Sequence, residues 1–443
     1  MTFNRLPPVG GALLGVLLML PLPLWAAPDI QHWQTANGAR VYFVAAAGLP
    51  MVDVRVVFDA GSARDAGKAG LAKLTNALLA EGTASMDADR VADRFESLGA
   101  QFGTDSLRDM AVVSLRSLTD PELLTPALAT FTQVLTVPAF PAAGLERERQ
   151  RTLVALQQEE QSPEDIAEKA FYRAIYGEHP YAAPALGTTA SVKALTRADL
   201  VDFHRRYYVG RNAVLAIVGA VSLEQAHALA EQVVGRLAEG VAAPALPPVP
   251  DLHAALVSAR AYPSEQTTAL LGQPGIARDD PDYFPLVVGN HILGGGGFSS
   301  RLVQQVRDQR GLAYSVYSYF LPMHQRGPFT LGVQTRNDQA QATIALMRQV
   351  LEGFIADGPS AAELSAAQRN LTGGFPLRLD SNSKLVENLA MLGFYGLPLD
   401  YLDTYIGKVE AVTAEQIRDA FRRRVHPDRL VTISVGRGPD IGG

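Results

Sequence analysis

The chain has 443 residues, enough for two or three domains with a sizeable core, and its 47% apolar and 19% charged residues are ordinary for a globular protein. A net charge of −6, without any basic run or aromatic-rich platform, argues against a nucleic-acid partner. Cysteine is absent, which excludes disulfides, cysteine metal sites and a lipid-anchored lipoprotein.

The first 29 residues, MTFNRLPPVGGALLGVLLMLPLPLWAAPD, place one early cation, Arg5, before an uncharged apolar run that ends in small residues. This is the pattern of a secretory signal peptide over residues 1–27, cleaved near Ala26 or Ala27. A retained membrane anchor is the alternative, but Pro21 and Pro23 shorten the helical part. The expected location is the periplasm, with secretion as the second possibility, and no stable membrane insertion is expected after cleavage.

VDVRVVFDAGS (52–62) alternates Val52, Val54, Val56 and Phe58 on one face, as a half-buried strand does. GLAKLTNALLAEGT (70–83) reads as a helix between glycines, with Leu71, Leu74, Leu78 and Leu79 as its apolar stripe. Lys73 and Ala77 share another face one turn apart, with Asn76 beside them. A snorkelling lysine on a core helix is the plain explanation of these residues taken alone. DADRVADRFESLGAQFG follows as a helix through Val91, Phe95 and Leu98 that stops at Gly99. MAVVSLRSL (110–118) returns to strand pattern, and helices are expected near 142–160 and over Pro163–Tyr176.

Residues 236–251, RLAEGVAAPALPPVPD, lack apolar periodicity and read as a semi-rigid linker. On either side the chain repeats itself. LTRADLVDFHRRYYVGRNAVLAIVG from Leu195 aligns without a gap on VTAEQIRDAFRRRVHPDRLVTISVG from Val412, at an offset of 217. Each copy has a threonine N-cap, a helix with paired arginines, a turn and a strand ending in glycine. An offset this large indicates two homologous α+β domains in tandem, at 28–235 and 252–443, with sheets that are mostly antiparallel and helices packed on them.

The eight histidines (32, 179, 204, 227, 253, 291, 324 and 426) include no helical metal pair. Neither a G-x-S-x-G elbow nor a G-K-[ST] phosphate loop is present. GGGGFSSRL (294–302) lacks the lysine of a phosphate loop; it reads as a flexible loop, with Ser299 or Ser300 capping the next helix, and would suit a peptide-facing wall. In VRDQRGLAYSVYSYF, Arg307 falls on a helix that ends at Arg310–Gly311, and Tyr314 starts an aromatic-rich strand. Packed together they could aim a guanidinium and a phenol at one peptide carbonyl and its developing oxyanion. An exposed arginine beside a packing tyrosine is the alternative.

The tandem domains, the glycine-bounded helix, the block from Leu293 to Tyr319 and the stretch from Tyr176 to Tyr208 together resemble the insulinase and pitrilysin zinc peptidases. The resemblance covers nearly the whole chain after residue 27 and is nearest to the short-subunit branch, with mitochondrial processing peptidase and bacterial two-subunit relatives. It implies an α+β fold of two α/β-sandwich domains forming one half of a clamshell. Active members of that family carry H-x-x-E-H, two zinc-binding histidines and a glutamate base, with a further glutamate ligand from a later helix. On this chain the histidine positions hold Lys73 and Ala77, the base position Asn76, and the later ligand falls on or near Ala155, with Glu159 and Glu160 a turn beyond. Lys73 would repel a dication.

The family's substrate-contacting arginine and tyrosine match Arg307 and Tyr314. The resemblance therefore implies a non-catalytic subunit of a heterodimeric peptidase. Gly294, Gly295, Gly296 and Gly297 would form substrate wall, no metal would be bound in this chain, and zinc would lie in a homologous H-x-x-E-H partner, encoded by an adjacent gene. A scaffold or peptide-binding protein with a dead chamber, and an enzyme with its metal elsewhere, are the alternatives. Lys73, Asn76 and Ala77 are expected together on the chamber wall.

Overall fold

A computed structural model describes residues 28–437. The signal-peptide reading of residues 1–27 lies outside them. Eleven strands are formed among the described residues: β1 (Gln31–Gln34), β2 (Arg40–Ala45), β3 (Met51–Phe58), β4 (Gln101–Ser106), β5 (Ala111–Leu118), β6 (Ala213–Gly219), β7 (Leu256–Ala261), β8 (Gln266–Pro274), β9 (Ala313–Phe320), β10 (Pro328–Arg336) and β11 (Val431–Gly436). They make two sheets, ordered β1-β2-β6-β3-β5-β4 and β7-β11-β8-β10-β9.

Without β1 the two sheets share one topology. The β2/β6 and β7/β11 pairs are parallel and every other pair is antiparallel. The repeat visible in the sequence thus extends to strand order and direction. Its helices also start alike: Thr196 and Thr413 each accept from the N3 backbone N–H, while Asp199 and Gln416 answer with a bond to the cap residue's own N–H.

The two halves are not self-contained. The Asn382–Tyr395 helix of the second half lies on β6, β3 and β2 of the first sheet. In return the Pro163–Tyr176 helix lies on β11 and β8 of the second. Leu385, Leu389 and Leu392 accordingly share a core with Val44, Val57, Val214 and Val218, and Phe171 and Ile175 share one with Leu270, Val431 and Ile433. The helix 382–395 comes so close that a Cβ on Gly393 would stand 2.4 Å from the Tyr42 ring. This exchange explains why β3 is not the half-buried strand that its alternation suggests. Val52, Val54, Val56 and Phe58 face one core, and Val57, on the opposite face, is buried in the other.

Residues 236–251 form a strap and not a spacer. Leu246 and Val249 are buried. The carbonyls of Pro244 and Val249 accept from Arg64 (2.6 Å) and Arg326 (2.6 Å), and that of Pro247 bonds His179 Nε2 (2.8 Å). A proline-rich strand of chain has free carbonyls to offer, and both halves use them. A second tie is Asp109, buried at the β4–β5 turn. Its carboxylate accepts from Tyr181 Oη (2.6 Å), the His324 backbone N–H (2.7 Å) and Tyr395 Oη (3.3 Å). The last two belong to the second half, so one carboxylate joins both.

The first helix runs over Leu71–Ala77 only and tightens into a 3₁₀ turn at Leu78–Glu81. The expected 70–83 helix is therefore split, and the tighter turn buries Leu78 and Leu79 together. Gly70, with φ +92°, precedes the helix without a side chain to cap it. Asp65 does that work from a distance, accepting from the N–H groups of Gly70 (2.8 Å) and Ala72 (2.8 Å).

Burial pushes the Asp65 carboxyl up to about 7, against the pull of those two donors. A carboxyl whose pKa is higher folded than unfolded retains its proton in the native state while the unfolded chain has released it. Its contribution to stability is therefore lost as pH rises from about 4 to about 7. The expected slope approaches about 1.4 kcal/mol per pH unit for one proton. Urea unfolding at pH 5, 6 and 7 should show this loss in the wild type and a shallower one in Asp65→Asn; parallel curves for the two proteins would refute it.

Candidate functional site

The positions that correspond to a metal motif sit beside β4, the outer strand of the first sheet. The Leu71–Ala77 helix packs on β4, β5 and the Arg197–Tyr207 helix, and the Ala142–Glu159 helix lies against it. Lys73 is half-exposed, its Nζ 4.0 Å from Asp105 Oδ1. Ala77 and Ala155 are half-buried and present no donor atom. Glu159 pairs with Lys169 on the following helix, and Glu160 is exposed.

Asn76 differs from the expectation that it stands on an open wall with Lys73 and Ala77. It is 1% exposed. Its Nδ2 donates to the carbonyls of Asp105 (2.5 Å) and Val112 (3.2 Å), and its Oδ1 accepts from Tyr208 Oη (3.0 Å). The side chain is a fully bonded knot between the helix, the β4–β5 pair and Tyr208. Sequence spacing placed it beside Lys73. The two carbonyls and the phenol that turn it inward come from residues distant in the chain.

Among the described residues no group of three or more His, Cys, Asp or Glu side chains is placed to hold a metal ion. Three histidines instead bond single backbone carbonyls: His32 with Val41, His179 with Pro247 and His204 with Leu135. The chemistry of the Lys73, Asn76, Ala77 and Ala155 set, one cation, one amide already used and two methyls, does not fit zinc.

The second cluster occupies the β8–β9 connection, as the first helix occupies the β3–β4 connection. The Tyr283–Asn290 helix continues as a wide π-turn, His291–Gly295, into the glycine run. Gly294 is buried: a Cβ there would stand 2.4 Å from Ser318 Oγ on β9, so this glycine is needed for close packing and does not line a substrate wall. Asn290 holds the same strand, donating to Ser318 O (3.0 Å) and accepting from Ser318 Oγ (2.8 Å). Gly296 is half-buried, whereas Gly295 and Gly297 are exposed; Gly297 adopts φ +60°. The two serines do not cap the next helix with their side chains. Ser299 and Ser300 Oγ point back and donate to Gly296 O (3.0 Å) and Gly297 O (2.7 Å).

Arg307 lies on a π-helical turn, Val303–Asp308, and the chain turns away at Gly311, with φ +60°. Tyr314 enters β9 immediately afterwards. The two come together as the spacing suggested: the guanidinium carbon is 4.8 Å from the Tyr314 ring centroid. It is also 4.8 Å from the ring of Phe298, which lies in the glycine-rich stretch whose sequence suggests only a flexible loop. Tyr314 is 83% and Phe298 70% exposed. The position of Phe298 inside GGGGFSS, an aromatic among residues with almost no side chain, was the available signal.

Two family models match the chain: insulinase (peptidase family M16) over residues 40–189, and the peptidase M16 inactive domain over residues 194–371. The crystal structure of a peptidase M16 inactive domain from Pseudomonas fluorescens is 40% identical, with a TM-score of 0.90 over 94% of this chain and 100% of that one. The non-peptidase homolog YmxG of Helicobacter pylori is 27% identical over 92% of this chain and 93% of its own length. The uncharacterized zinc protease YmxG of Bacillus subtilis is 25% identical over 91% and 98%.

Proposed function

Because the chain belongs to peptidase family M16, the insulinase family, and has no metal donors at the positions that match its zinc motif, we propose that it is the non-catalytic subunit of a two-chain metallopeptidase. The observation that carries this reading is the contrast between the two clusters. Lys73, Asn76, Ala77 and Ala155 have no metal chemistry left, and Asn76 is committed to the fold. Arg307 and Tyr314 are assembled, with Tyr314 open to solvent. A donor pair assembled in a chain whose metal-motif positions hold no zinc ligand suits a reaction centred on another chain.

In this reading the partner is a homologous chain bearing H-x-x-E-H, and the zinc and the general base belong to that chain. This chain contributes donors. Arg307 Nη and Tyr314 Oη hydrogen-bond the carbonyl oxygen of a bound peptide and strengthen those bonds as charge develops on it. Gly295, Gly296 and Gly297 leave the adjoining surface free of bulk. The N-terminal residues 1–27 support a periplasmic location. Among the described residues, no helix is long and apolar enough to cross a membrane.

The test is reconstitution. The chain and the H-x-x-E-H protein encoded beside it, each inactive or weakly active alone, are expected to form a complex on size-exclusion chromatography and to cleave unstructured peptides on mixing. Complex formation with no gain in cleavage would favour the second reading, a peptide-binding or scaffold protein. The open outer edges of β4 and β9, each paired on one side only, favour that alternative, since a peptide can add there as a strand.

A further inference from the structure

Arg307 is set apart from other arginines of the second half by what it does not touch. Arg301, on the same helical segment, is held by both oxygens of Glu363 (2.6 and 2.8 Å) and by Gly358 O (2.9 Å). Arg326 is paired with Asp251, and Arg423 and Arg424 with Asp282. Arg307 forms no ion pair and no side-chain hydrogen bond among the described residues; its contacts are the Phe298 and Tyr314 rings. Arg307 is half-buried as a residue, its guanidinium meets two ring faces, and none of its charge is met by an anion among the described residues. Both rings are largely exposed, so the cation and the two rings form a slot open to solvent, an unfilled surface cluster with the guanidinium in contact with both rings, and not a packed core.

We infer that this slot binds a carboxylate, and that the peptide meeting this face is one that presents a carboxylate at Arg307. Through Nε–H and one Nη–H a guanidinium offers a planar fork that matches the two oxygens of a carboxylate, which leaves its other Nη for the peptide carbonyl, and it loses less on binding when it is already oriented. Phe298 is then a positioning residue: it holds the arginine through the cation–π contact in place of the usual fixed acid. The Tyr314 hydroxyl, which has no hydrogen-bond partner among the described residues, is the adjacent donor. The inference rests on the reading that this face meets a peptide, and names the chemistry that such a peptide carries. An acidic side chain and a free C-terminus present the same group.

The experiment uses the isolated full chain, so that it does not depend on a partner. The Arg307 Nε–Hε signal is followed by NMR while one unstructured peptide is titrated in four forms: with a glutamate and a free C-terminus, with the C-terminus amidated, with the glutamate changed to glutamine, and with both changes. The form with neither carboxylate is expected to bind about tenfold or more weakly than the first, and the two single changes identify which carboxylate is read. Arg307→Gln, which lacks that signal and is followed by titration calorimetry beside the wild type, should abolish the discrimination. Phe298→Ala should weaken carboxylate binding about two- to fivefold and reduce the ring-current shift on Arg307 to the part that Tyr314 supplies, and Phe298→Trp should restore both. Equal affinity for all four forms, no binding of any of them, or an unchanged Phe298→Ala protein would overturn the inference. So would loss of partner association in Arg307→Gln without loss of peptide binding, which would make the slot a subunit contact. Carboxylate selectivity without peptide cleavage in the reconstituted pair would instead sink the two-chain peptidase reading and leave the slot standing.

Discussion

Replacing Arg307 by alanine should lower kcat of the reconstituted complex by about a hundredfold or more, the loss seen when one preorganised oxyanion donor is removed from an active site. Tyr314→Phe, which deletes a single hydroxyl and keeps the ring, should lower kcat without changing association. The fold gives good reason to expect clean variants. Tyr314 is 83% exposed, and Arg307 forms no ion pair among the described residues, so neither truncation opens a cavity or strands a buried partner there. The measurement is steady-state cleavage of a peptide beside size-exclusion of the mixed chains. Turnover per assembled complex that stays at the wild-type value, with fewer complexes formed, would assign the pair a structural role.

Reinstalling the glutamate of the family motif should fail for a reason that lies in the fold. Asn76→Glu is expected to cost on the order of 3 kcal/mol. The amide donates to two carbonyls, Asp105 O and Val112 O; a carboxylate in that place has no proton to give and sets its charge against both. Tyr208 Oη could still donate to it, but one bond does not offset two that are lost and a buried charge. Lys73→His and Ala77→His, at half-buried positions on the same helix, should cost about 1 kcal/mol or less. Denaturant unfolding of the three single variants separates these expectations. An Asn76→Glu protein as stable as the wild type would show that the helix can turn this side chain out, and that the absence of a base is not built into the packing. Both predictions rest on one contrast: Asn76, at the position of the family's base, is committed to the fold, whereas Tyr314 stays open to solvent.

Much of the architecture was legible in the sequence because it is written locally or by repetition. The stripe Leu71, Leu74, Leu78 and Leu79 has helical spacing and is buried. The 217-residue repeat predicted two related sheets, and strand order agrees throughout once β1 is set aside. Arg307 and Tyr314 lie seven residues apart across one turn, so a short-range pattern was enough to bring them together. Asp109, by contrast, carries no motif: it is an acid between an arginine and a methionine, and its role appears only when Tyr181, His324 and Tyr395 converge on it.

By itself, then, the sequence determined the periodic elements, their duplication, the family and the absence of metal donors at Lys73, Asn76, Ala77 and Ala155. Only the tertiary structure decided that each half lends a helix to the other's sheet, that residues 236–251 are bonded down as a strap, that Asn76 turns inward and Gly294 is packed, and that Phe298 flanks Arg307. The division has a physical cause. Periodicity records which residues leave water, a property that each residue expresses with its near neighbours. Which partner an inward amide, a carbonyl or an unpaired cation meets is set by groups that may be adjacent in space and more than a hundred residues away in the chain, as Tyr208 is from Asn76.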